Sequence, residues 1–133
     1  MKKKKFIIIF IVIITIFAAI ATFIIISTKV DTAFLRKQNQ TYENVYVIDG
    51  NNGNSIKLSD KGKELLLEKL KSLKLSKDYF HKPSTEWLYH IQFIIEGKLY
   101  IVTIVSDDCI AINENKFYKT QAVDLIDFIK EML

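Results

Sequence analysis

Trp87-Leu88-Tyr89-His90-Ile91-Gln92-Phe93-Ile94-Ile95 alternates over nine residues, and that period of two decides the fold class. Trp87, Tyr89, Ile91, Phe93 and Ile95 fall on one side of such a strand, with Leu88, His90, Gln92 and Ile94 on the other. The first side reads as a core face. Working forward, Glu96-Gly97-Lys98 can turn the chain into Leu99 to Val105, whose residues are again largely apolar, so the two strands are expected to pair antiparallel. Ser106-Asp107-Asp108 makes the next turn, Cys109 to Ile112 the next strand, and Asn113-Glu114-Asn115 a tight turn into Lys116 to Lys119. A four-strand meander results. Thr120 is expected to cap a closing helix with a stripe of Ala122, Leu125, Ile126, Ile129 and Leu133.

Working backward, Leu75 to Glu86 has lost any period and contains Asp78, Pro83 and Ser84, so it reads as a loop carrying the aromatics Tyr79 and Phe80. Before it, Leu66, Leu70 and Leu73, widened by Leu67, recur at helical spacing, and Ser59 and Asp60 can cap a helix from about Asp60 to Lys74. Asn44 to Ile48 and Ser55 to Leu58 alternate on either side of Asp49-Gly50-Asn51-Asn52-Gly53-Asn54, a run of turn residues, and predict a first hairpin. The fold class is therefore α+β: hairpin, helix, four-strand meander and helix, with an antiparallel sheet covered by both helices on one face.

The amino terminus obeys different rules. Lys2 to Lys5 are followed by twenty-one residues without charge, Phe6 to Ile26, which as a helix would span roughly 31 Å, the hydrocarbon thickness of a bilayer. Phe6, Ile7, Phe10, Ile13, Phe17, Ile20 and Ile26 would face lipid. With Lys29 alone close behind, the positive-inside bias holds the amino terminus in the cytoplasm and sends the rest outward. A cleaved signal peptide has an apolar region of about 7 to 15 residues, and here Phe23 to Ile26 continue the run past Ala19 and Ala21, so a retained anchor is the reading. Lipidation would need a cysteine at the end of the run, whereas the one cysteine is Cys109, and a pilin would need an acidic residue within the apolar segment. The expected organisation is a cytoplasmic tail (1–5), an anchor (6–26), a juxtamembrane stalk (27–43) that continues the helix to about Leu35, and an extracytoplasmic domain (44–133).

The formal charge of +4 does not indicate a nucleic-acid partner. Lys2 to Lys5 and Lys29 account for five of the 19 basic residues, and the other 14 face all 15 acids. One cysteine excludes an internal disulfide and a Cys-rich zinc site, and the apolar setting of Cys109 makes it a buried, inert thiol.

The run Trp87 to Phe93, Glu96 to Tyr100, then Ile110-Ala111-Ile112-Asn113 and Phe117-Tyr118-Lys119, resembles small anchored or lipidated extracytoplasmic domains of unknown function from low-GC Gram-positive bacteria. The resemblance spans about Val45 to Leu133 and implies the compartment and the fold class, without supplying an active site.

Chemistry-bearing patterns are sparse. His81 and His90 lack ligand-spaced neighbours and read as surface or packed imidazoles, so no metal is expected. Asp49-Gly50-Asn51 opens like a calcium loop, but Gly53, Asn54 and Asp60 break its pattern, and a polar turn is the better reading. Asp107 and Asp108 are adjacent and would diverge rather than share a substrate. No Gly-x-Ser-x-Gly elbow or glycine-rich phosphate loop occurs, and neither catalytic nor cofactor-binding residues are expected. What remains is aromatic surface, with Tyr79 and Phe80 the pair that strand periodicity does not assign to a core. The functional expectation is an anchored domain that binds another envelope component, a protein or a cell-wall polymer. A self-protection protein intercepting a secreted toxin or peptide at the membrane is the alternative, and a small envelope hydrolase a third.

Overall fold

The computed structural model describes residues 2–31, 33–36, 42–81, 86–113 and 115–133, with side chains left undescribed at 27–31 and 36. The chain forms two compact units, Met1–Val30 and Asp31–Leu133. Residues 32 and 37–41 of the expected stalk, with Pro83, Ser84 and Glu114, lie outside the described residues.

The first unit is a single helix, and α1 as a whole runs Lys2–Asp31. Its segment Lys2–Ile26 is long and apolar enough to cross a membrane by length and composition. Phe6, Ile7, Phe10, Ile13, Phe17, Ile20 and Ile26 are all exposed. A helix apolar on every side has no polar face to offer water, which is compatible with membrane anchoring. The hydroxyls of Thr15 and Thr22 donate to the carbonyls of Ile11 and Ala18, both at 2.9 Å, so they carry no unmet donor into that environment. The helix ends at Asp31 rather than near Leu35, and a separate turn, α2 (Ala33–Arg36), follows.

The second unit is an antiparallel α+β fold. Its strands are β1 (Glu43–Asp49), β2 (Ser55–Lys57), β3 (Ser76–Lys77), β4 (Tyr89–Ile95), β5 (Lys98–Ser106), β6 (Cys109–Ile112) and β7 (Lys116–Lys119), in the spatial order β2-β1-β4-β5-β6-β7-β3. The meander β4 to β7 forms as expected, and the hairpin joins it by pairing β1 with β4. Glu96 and Gly97, at φ of 51° and 78°, close the β4–β5 hairpin in the doubly left-handed conformation that matches strand twist. Register then aligns Val47, Ile91, Val102 and Ile112 across four strands, each essentially without exposure. This row is the floor of the core.

Two helices cover that face. In α3 (Asp60–Ser72) the hydroxyl of Ser59 accepts from the Gly62 amide, and Leu66, Leu67 and Leu70 turn inward. In α4 (Val123–Met132) Leu125, Ile126 and Ile129 are buried. The helices meet each other and share one core with the sheet.

Four local expectations need correction. The loop 75–86 contributes β3, which pairs with β7 at the sheet edge; two polar residues are too short a strand to show a period. Trp87 precedes β4 and is half-buried with its ring 3.5 Å from that of His90, so it belongs to the opposite face from Ile91. Gly50 permits the close approach of this segment, since a Cβ there would collide with the Trp87 carbonyl oxygen, and the Gly50 amide donates to the Leu88 carbonyl at 2.8 Å. Thr120 does not cap α4, whose N-cap is Ala122, and Leu133 is exposed while Met132 packs inward. Finally, Phe34, Leu35 and Tyr42, all within the segment read as a stalk, are buried in the core, where the Tyr42 hydroxyl donates to the Phe34 carbonyl at 2.8 Å.

Candidate functional site

The sheet has a second face, away from the helices, where His90, Gln92, Ile101, Thr103, Cys109, Ala111 and Phe117 point. On the β6–β7 side it is covered: Thr103, Cys109 and Ala111 are buried. His81 and Trp87 supply cover, with the His81 ring stacked 4.4 Å from that of Phe117 and the Trp87 ring on His90. His90 Nδ1 and the Thr103 hydroxyl lie 2.7 Å apart, so the imidazole is held from both sides. Towards β1 the same face stays partly open at Tyr46, Ile48, Ile94 and Ile101, and Leu99 is exposed.

Tyr79 and Phe80 occupy the turn after β3. The Asp78 amide donates to the Phe117 carbonyl at 2.9 Å, which fixes the turn to β7. The Asp78 carboxylate in turn accepts from the Phe80 amide at 3.2 Å, an Asx-type closure that sets the backbone locally. Tyr79 is 48% exposed, with the Lys77 ammonium 5.5 Å from its ring centre, and Phe80 is 94% exposed. A phenylalanine this exposed contributes nothing to the core of the fold.

Sequence spacing could not show that His81 has company. Asp78 Oδ2 lies 3.6 Å and Cys109 Sγ 3.7 Å from His81 Nδ1, although Cys109 is 28 residues away in sequence. The trio resembles a nucleophile, base and orienting carboxylate, but its geometry opposes that chemistry. A relay places nucleophile and carboxylate at opposite ring nitrogens, and here both approach Nδ1, with Nε2 4.0 Å from the sulfur. Burial, then the carboxylates of Asp78 and Asp108, push the Cys109 thiol up to about 11. It stays protonated at neutral pH, and the thiolate is the reactive form. Among the described residues no three His, Cys, Asp or Glu side chains are placed to share a metal ion. Asp107 and Asp108 stand on the β5–β6 turn, where Asp108 accepts from the Ser106 hydroxyl at 2.7 Å.

No protein-family model and no curated protein matches the chain. A solved structure of a Clostridium perfringens protein, provisionally classed as a lipoprotein, superposes with a TM-score of 0.49 at 18% identity, over 61% of this chain and 70% of that one.

Proposed function

We propose that the chain is a single-pass membrane protein whose domain, residues 31–133, stands outside the cytoplasm and binds another envelope component, a protein or cell-wall polymer, through Tyr79 and Phe80. The exposure of Phe80 on a turn held by Asp78 carries this reading. An exposed aromatic on a backbone already fixed in place loses little conformational freedom on binding, and such residues dominate interface energetics. Lys2 to Lys5 ahead of the apolar helix support the orientation.

Crosslinking in intact cells tests it. The double substitution Tyr79→Ser and Phe80→Ser should weaken capture of the partner by about thirtyfold, the equivalent of roughly 2 kcal/mol for an aromatic anchor. The melting temperature should hardly move, because neither side chain is buried. Normal capture with a depressed melting temperature would show that the pair covers the sheet instead.

A further inference from the structure

At one end of the sheet, the last turn of α3, the β5–β6 turn, the end of β7 and the start of α4 enclose a cleft of about 1060 Å3. Thr120 lines it with only 9% of its surface exposed, and its hydroxyl is buried with no hydrogen-bond partner among the described residues. An unmet buried hydroxyl is costly, and a ligand that draws the Thr120 side chain toward the cleft would satisfy it. Beside it α4 begins without a side-chain cap, and Val123, Asp124 and Leu125 line the same cleft. The first amides of a helix have no intrahelical acceptor and carry its positive end. The Thr120 and Ala122 amides donate to the carbonyls of Asp108 and Asp107 at 2.9 and 2.8 Å, which holds this segment in place.

Charge narrows the occupant. Lys69, Lys74 and Lys119 line the cleft together with Asp107, Asp108 and Asp124, and no ion pair is formed between the two sets among the described residues. A simple anion would meet three carboxylates, and a simple cation would meet the lysines and the uncapped helix end. We propose that the cleft binds a small ligand bearing both a carboxylate and an ammonium group, the chemistry of a free amino acid or the end of a short peptide. Its carboxylate accepts from the Thr120 hydroxyl and the first-turn amides of α4, with Lys119 and Lys74 nearby. Its ammonium faces Asp107 and Asp108. This site involves neither Tyr79 nor Phe80 and stands apart from the contact proposed above.

Titration of the full chain in detergent micelles, followed by amide NMR, tests the assignment with four probes: L-alanine, L-alanyl-L-alanine, acetate and methylammonium. The two zwitterions should shift the signals of Thr120, Val123, Asp124 and Leu125, binding about tenfold or more tightly than either singly charged probe. Preference for the dipeptide assigns a peptide end, and preference for alanine a free amino acid. Thr120→Val should weaken binding about tenfold while Thr120→Ser retains it, as expected for one hydrogen bond to a charged group. Lys119→Gln, at an exposed position where folding is not at stake, should weaken it as well. Absence of shifts at α4, equal binding of acetate alone, or an unaltered affinity in folded Thr120→Val and in Lys119→Gln would overturn the proposal.

Discussion

Phe93→Ala should destabilise the second unit by about 3 to 5 kcal/mol, the range for deleting a fully buried aromatic side chain. Phe93 is wholly buried and sits between two rings, 6.3 Å from that of Phe34 and 5.9 Å from that of Tyr42. Its deletion leaves a cavity bounded by β-sheet on one side, where neighbours cannot move inward without breaking register. Ile91→Ala, on the same face of β4, should cost about 2 to 5 kcal/mol. Ile94→Ala, half-exposed on the opposite face, is the internal control and should cost much less. Urea unfolding of the three variants checks the assignment of faces, and equal losses at Ile91 and Ile94 would refute it.

A second large effect concerns where the domain begins. A fragment starting at Asn44 should be less stable than one starting at Asp31 by about 3 kcal/mol or more. Burying one large apolar side chain contributes about 1.5 to 3 kcal/mol, and three are removed, offset in part by the chain entropy of the shorter segment. The three are Phe34, Leu35 and Tyr42. Phe34 stacks 4.5 Å from the Tyr100 ring, and the Lys63 ammonium donates to the Tyr42 carbonyl at 2.9 Å, so this segment is bound to the strand face and to α3 at once. Equal unfolding midpoints and slopes for the two fragments would place the boundary at Asn44 after all.

The two expected results separate what residue order displays from what it conceals. Alternation through Tyr89 to Ile95, the Glu96-Gly97 turn and the leucine stripe of α3 are local signals, and the sheet, its meander and both helices follow from them. Phe34, Leu35 and Tyr42 carry no such signal. They are isolated apolar residues in a polar stretch, and only the tertiary core gives them a destination. The strand β3 is too short for periodicity, and its pairing with β7 is set by position beside the sheet edge. Tyr79 and Phe80 stood out because they lie outside any periodic element, and their exposure agrees with that position. The contact of His81 with Cys109, and the cleft at Thr120, are assembled from segments far apart in sequence, so spacing rules for local motifs are blind to both.

The proposed binding role requires the domain to stand outside the cytoplasm at the end of a retained anchor. Protease added to intact, wall-stripped cells measures this directly, with antibodies or mass spectrometry reporting what survives. The expected result is removal of the chain beyond about Val30, with the helix bearing Phe6 to Ile26 kept in the membrane fraction. Protection of the whole chain until the membrane is opened would place the domain inside the cell. Release of an intact domain with a new terminus near Thr22 would show that the helix is cleaved, and either result would contradict an anchored, outward-facing domain.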